Sequence, residues 1–104
     1  MRRRPGGGLD TEVVLVDTFG NVQLAASAAQ LAEARLSPPM RAWLWPARQE
    51  AVEIAVGVTF ASVAPGEPLL YVDAAGMAAL AVRDGDAART LGLAPGDRLA
   101  LQPG

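Results

Sequence analysis

A chain of 104 residues, 51% apolar and 19% charged, has the length of one small domain and the composition of a folded one. It contains no His, Cys or Lys, and all nine basic residues are Arg, which excludes histidine bases, thiolate nucleophiles, disulfides, thiolate zinc sites and Schiff-base lysines. The net charge of −2 and pI near 4.9 argue against nucleic acid as a partner, because sequence-independent binding needs a basic face. Twenty-one alanines inflate the apolar share, so the core is expected to be thin and built mainly from Val, Leu and Ala.

The chain opens Met-Arg-Arg-Arg-Pro-Gly-Gly-Gly, and no apolar stretch follows the three charges as a targeting signal would require. Its longest apolar runs fall far short of a membrane span. A cytoplasmic protein without a membrane partner is expected, with a flexible tail over residues 1–9 and one domain over 10–104. TEVVLVD (Thr11 to Asp17) is Val-rich and short, which predicts a strand. Phe19-Gly20-Asn21 marks a turn or bulge, since Gly and Asn both tolerate positive φ, and Val22 to Ala25 resumes as a strand. Ser27 to Leu36 predicts a short helix capped by Ser27 and ended by Pro38-Pro39.

Arg41 to Pro46 alternates small or polar residues with large ones, placing Trp43 and Trp45 on one strand face. Glu50 to Ala61 carries Val52, Ile54, Val56 and Val58 at period two and predicts a long strand, with Gly57 marking a bulge or a close backbone approach. Leu69 to Val72 and Met77 to Val82 form a hairpin-like pair about Asp73-Ala74-Ala75-Gly76. Asp86 is placed to cap a short helix that Gly92 terminates, and Arg98 to Gln102 is the last strand. Six or seven short strands with two short helices predict a mainly β fold, a small antiparallel β-barrel or a sandwich.

Few residues suggest chemistry. Asp84 and Asp86 flank a glycine, but a calcium loop needs further oxygen ligands in register, so helix capping is the better reading and no metal is expected. Trp43 and Trp45 are read as filling a thin core or a subunit contact rather than stacking a ligand. Asn21 is different in kind: a carboxamide presents a donor beside an acceptor, which matches the N6/N7 edge of adenine, and Phe19 and Phe60 offer stacking faces. A core Phe and a turn Asn would account for the same residues.

The run Val16-Asp17-Thr18-Phe19-Gly20-Asn21-Val22 resembles the V-D-x-F-G-N signature of the carboxy-terminal domain of the S-adenosylmethionine hydroxide adenosyltransferases, the family that includes fluorinases and chlorinases. A second block is similar to the rest of that domain in the same order. It runs from Thr59-Phe60 through Pro65-Gly66-Glu67, Tyr71 to Gly76, Leu80-Ala81-Val82 and Gly85-Asp86-Ala87-Ala88 to Gly96-Asp97. The resemblance implies a small barrel that follows an α/β domain in family members, with the ligand pocket between that domain of one subunit and the barrel of its neighbour. It implies that Asn21 recognises adenine, that Phe19 and Phe60 enclose the nucleoside, and that the main chain of Asp84 helps bind the adenine edge.

The family turn Asn-Ser-x-Gly, whose Ser contacts the methionine end, is replaced by Asp73, Ala74, Ala75 and Gly76, so a degenerate methionine-side loop is expected. Ala79 stands where the family has Glu, and Gln23-Leu24 replaces Thr-Asn. The family's catalytic residues belong to the α/β domain, so no catalytic residue and no cofactor is expected here. S-adenosylmethionine or adenosine is the ligand implied. The expectation is a barrel that is inactive alone, is a hydrolase of S-adenosylmethionine if an α/β partner encoded separately completes it, and forms a homo- or hetero-oligomer. The rival expectation is a structural or protein-interaction barrel whose Trp43 and Trp45 face a partner.

Overall fold

A computed structural model describes all residues, 1–104. Short runs with apolar residues at every second position form strands β2 (Leu9–Val16), β3 (Val22–Ser27), β4 (Met40–Pro46), β5 (Val52–Val56), β6 (Pro68–Val72), β7 (Met77–Val82) and β8 (Arg98–Pro103). They close into a seven-stranded barrel in the order β2-β3-β7-β6-β5-β4-β8, with β8 pairing back to β2. An extra strand, β1 (Arg2–Arg3), pairs with the start of β2. The fold is the mainly β barrel with two short helices that the sequence predicts.

Inside the barrel the core is aliphatic, with Leu9, Val13, Val22, Leu24, Leu44, Ile54, Leu70, Leu80, Leu99 and Leu101 all buried. No aromatic ring enters it. Helix α1 (Ala28–Glu33) follows β3 and helix α2 (Ala87–Leu91) follows β7. Because β3 and β7 run antiparallel, the two helices plug opposite mouths, contributing Leu31 and Leu36 at one and Ala87, Leu91 and Leu93 at the other. Ser27 caps α1 through a reciprocal box with Gln30, and Asp86 caps α2, which ends at Gly92 with a φ of 65°. The expected helix over Ser27 to Leu36 stops at Glu33, because Arg35 turns to positive φ and Leu36 N–H bonds back to the Leu31 carbonyl.

Further details differ from expectation. Strand β5 ends at Val56, not Ala61, and is followed by a 3-10 turn over Phe60–Ser62. A Cβ on Gly57 would overlap Ser62 and press on Leu69, so only glycine lets the chain leave the sheet at that point. The departure is required because β5 and β6 pair in parallel, and a parallel pair needs a crossover. The segment expected to be a tail is folded back: Arg2 and Arg3 pair with Asp10 and Leu9, Arg4 donates to Asp10, and Leu9 is fully buried.

Trp43 and Trp45 also do not fill the core. Ala42, Leu44 and Pro46 take the inward positions of β4, leaving the tryptophans 39% and 48% exposed. No helix is long and apolar enough to cross a membrane.

Candidate functional site

The outer wall over β3, β7 and β6 is where the residues of interest gather. Register places Gln23, Ala79 and Tyr71 in one row across these strands, on the face opposite the core residues Val22, Leu80 and Leu70. Two turns bound this wall. The turn from β2 into β3 carries Asp17, Phe19, Gly20 and Asn21, whereas the turn from β6 into β7 carries Asp73, Ala74, Ala75 and Gly76. The antiparallel pairing puts these turns at opposite ends of the wall.

At the first end, the Asp17 carboxylate organises its own turn. Its Oδ1 accepts from the Phe19 and Asn21 backbone N–H groups at 2.8 and 2.9 Å, and its Oδ2 accepts from Asn21 Nδ2 at 3.1 Å. Some desolvation pushes the Asp17 carboxyl up, but the bonds from Asn21, Phe19 and Gly20 together outweigh it and hold the carboxyl below its ordinary 3.8. The turn is clamped from the other side by α2: Ala88 N–H donates to the Gly20 carbonyl at 2.9 Å, and a Cβ on Gly20 would overlap the Asp86 carboxylate. Gly20 also sits at a φ of 84°, so this position is closed to other residues twice over. Asp84, at a φ of 57°, lies two residues before that clamp, at the same end of the wall.

At the second end, Asp73 builds the β6–β7 turn in a similar way. Its Oδ1 accepts from the Ala75 and Met77 N–H groups and its Oδ2 accepts from Gln23 Nε2 at 3.1 Å. Desolvation again opposes, and the bonds from Met77, Gln23 and Ala75 prevail, keeping this carboxyl low as well. Ala74 and Ala75 offer only main chain and methyl groups.

Between the two ends stands Tyr71, half-buried. Burial raises its pKa, and the Asp73 and Asp17 carboxylates raise it further, so one phenol senses both turns. Phe60, carried by the crossover after β5, lies against it with ring centroids 6.5 Å apart and planes tilted by 47°. Tyr71 also helps line an apolar cavity of about 140 Å³ with Leu31, Leu36, Val56 and Leu70.

Asn21, Asp73 to Ala75 and Phe60 thus border one wall, with Asp84 at its Asn21 end. Phe19 stands apart from the aromatic pair, 78% exposed on the outside of its turn. Three wall residues escape a reading by type alone: Asp17, Gln23 and Tyr71. Period two from Leu70 does place Tyr71 outward, and an Asp at the head of a turn that holds Gly-Asn is placed to accept from the backbone two residues on, as in an Asx turn.

This barrel, with its V-D-x-F-G-N turn and its Asp-Ala-Ala-Gly turn at the ends of one wall, matches a known domain. Residues 11–100 fit the family described as the SAM hydroxide adenosyltransferase C-terminal domain, and the chain belongs to that family. It is 46% identical over 102 residues to an (R)-S-adenosyl-L-methionine hydrolase of Salinispora tropica, covering 98% of this chain and 36% of that protein. It is 42% identical over 97 residues to a protein of the same name from Salinispora arenicola, covering 93% of this chain and 34% of that one.

Among solved structures, a conserved protein of Thermotoga maritima superposes with a TM-score of 0.86 at 27% identity, over 98% of this chain and 40% of its own. A conserved hypothetical protein of Thermus thermophilus superposes with a TM-score of 0.64 at 28% identity, over 95% and 38%. The chain therefore spans about a third of the length of these curated relatives.

Proposed function

We propose that this barrel supplies the adenosine-facing half of a site for S-adenosylmethionine or adenosine. The observation that carries the reading is the outer wall itself. Asn21 and the Asp84 main chain stand at one end, Phe60 and Tyr71 offer ring faces between, and the Asp73 turn stands at the other, in the order a nucleoside and its 5′ substituent would need. The similarity to proteins named (R)-S-adenosyl-L-methionine hydrolase supports S-adenosylmethionine as the ligand class. Ala74 and Ala75 leave the far end short of side-chain hydrogen bonds, so recognition rests on the adenosine portion.

Hydrolysis to adenosine and methionine would require an α/β domain that these 104 residues do not contain, contributed by a partner. The barrel alone is inactive in this reading: its polar wall groups are two ionised carboxylates, a raised phenol and amides, with no His among them. Calorimetric titration with S-adenosylmethionine and with adenosine, alone and with an α/β half, tests it. Heat with the assembled pair is the expected result, and no heat in either arrangement overturns the ligand reading.

A second reading rests on Trp43 and Trp45, exposed side by side on the opposite sector. In it the barrel is an interaction module without a ligand. Replacing both by Ser should then abolish oligomerisation while leaving nucleoside behaviour unchanged, whereas an unaltered sedimentation profile removes this alternative.

A further inference from the structure

The Asp17 turn holds an arrangement that the nucleoside reading leaves unused. Asp17 accepts three hydrogen bonds, two from backbone N–H groups and one from Asn21 Nδ2. An ionised carboxylate has no proton to donate, so the Asn21 carboxamide can face it only by its NH₂ end. With the N–H trans to Oδ1 given to Asp17, Oδ1 and the second N–H are left side by side, turned away from it. Reversing the amide would set its oxygen against the carboxylate and forfeit a charge-assisted bond. The turn cannot swing to compensate, because Ala88 N–H holds the Gly20 carbonyl and Asp86 blocks the space beside Gly20.

We propose that Asp17 is a positioning residue that locks the Asn21 carboxamide with its acceptor and one donor outward, so that the wall selects a 6-amino purine over a 6-oxo purine. The selectivity rests on the nucleoside reading above, whereas the lock on Asn21 does not. A 6-amino purine offers N6–H to Oδ1 and takes the Asn21 N–H at N7. A 6-oxo purine sets its O6 against Oδ1, oxygen against oxygen.

Asp17→Asn separates this role from a merely structural one. The Asn oxygen can still accept from the Phe19 and Asn21 N–H groups and keep the turn, while its NH₂ now faces Asn21 and favours the reversed amide. Side-chain amide NMR of the 104-residue chain, titrated with adenosine and with inosine at millimolar concentration, reads both effects. The parent chain should show one Asn21 Nδ2 proton shifted downfield by the carboxylate, and should prefer adenosine by roughly tenfold, the scale of one good bidentate pair.

In Asp17→Asn the downfield signal should vanish and the preference fall to about one or invert, with the backbone spectrum of the turn unchanged. Should that variant fail to fold, Asp17→Ser keeps an acceptor for the turn but is too short to reach the carboxamide, and the same collapse is expected. An unchanged preference in a folded variant, or the lack of a downfield Asn21 N–H signal in the parent chain, overturns the proposal. If the downfield signal is present in the parent chain and lost in the variant but neither nucleoside binds, the selectivity of the barrel is overturned, and the nucleoside reading itself is decided by the titration with an α/β half. The lock on Asn21 then stands.

Discussion

Two sectors of the same barrel are built in opposite ways. Over β5, β6 and β7 both faces are covered: Leu70, Leu80 and Val82 point inward, while Ala55, Leu69, Ala79 and Ala81 point outward and are buried too. The outward positions are mostly alanine, which lets the crossover settle on the strands, and Val63 packs there with Ala55 and Leu69. Over β2, β8 and β4 the outward face is open instead, carrying Asp10, Glu12, Arg98, Trp43 and Trp45. One sector is thus layered and the other alternates. Of the residues that border the candidate site, Phe60, Tyr71, Asp73 and Asp84 belong to the layered sector and to the turns and crossover joined to it, whereas Asn21 lies in the β2–β3 turn, which α2 holds through the bond from Ala88 N–H to the Gly20 carbonyl.

The largest expected effect tests that layering. Leu69→Ala removes a buried side chain from outside the barrel, and if the outer layer is a true second core it should cost about 2–5 kcal/mol in chemical denaturation, as a core leucine would. A cost near that of a surface substitution would reduce the comparison to one of solvent exposure alone.

Gly20→Ala comes next. It sets a Cβ against the Asp86 carboxylate at a positive φ, and a loss of about 1–3 kcal/mol is expected, with the Asp17 turn and the start of α2 shifting together in amide spectra. Shifts confined to the turn would show that the two are not clamped.

Trp43→Ser with Trp45→Ser should change the stability of the monomer by under about 1 kcal/mol, since both rings stand on the open sector. A larger loss would mean that this sector also has a covering layer.

The smallest effect concerns acid. Asp17 is exposed and Asp73 half-buried, and both have folded pKa values below 3.8. A carboxyl depressed by folding stabilises fully above its unfolded pKa, and that stabilisation is lost as the pH falls through the folded value. The acid limb of the stability curve below pH 3.8 should therefore be shallower in the Asp17→Asn, Asp73→Asn double variant. An identical limb would show that the two turns bear no load on folding.

What the sequence made legible follows from how local each cause is. Asp86 and Gly92 bracket α2 and Ser27 caps α1, because caps are formed by residues within one turn. The period-two pattern of Val52, Ile54 and Val56 found β5, but Val58 continues the pattern and is 71% exposed, because the chain leaves the sheet at Gly57. Only the parallel pairing with β6 explains that exit, and pairing is a long-range choice.

The tryptophans show the same limit. Alternation put them on one face without saying which, and the interior of a seven-stranded barrel took Ala42 and Leu44. At the candidate site, Asn21 stood out by residue type and motif. The bond from Gln23 to Asp73 joins positions fifty residues apart and was beyond any local pattern. So was the pairing of Phe60 with Tyr71.

The parallel pairing of β5 and β6 has a consequence for how this domain can vary. A tight hairpin in place of the crossover would reverse β6 and break its register with both neighbours, so the segment over residues 57–67 is needed to complete the circle of strands. The same segment carries Phe60. Deletions that narrow this wall are therefore closed to evolution and to the engineer alike, and the wall has to be retuned by exchanging side chains on a strap of fixed reach.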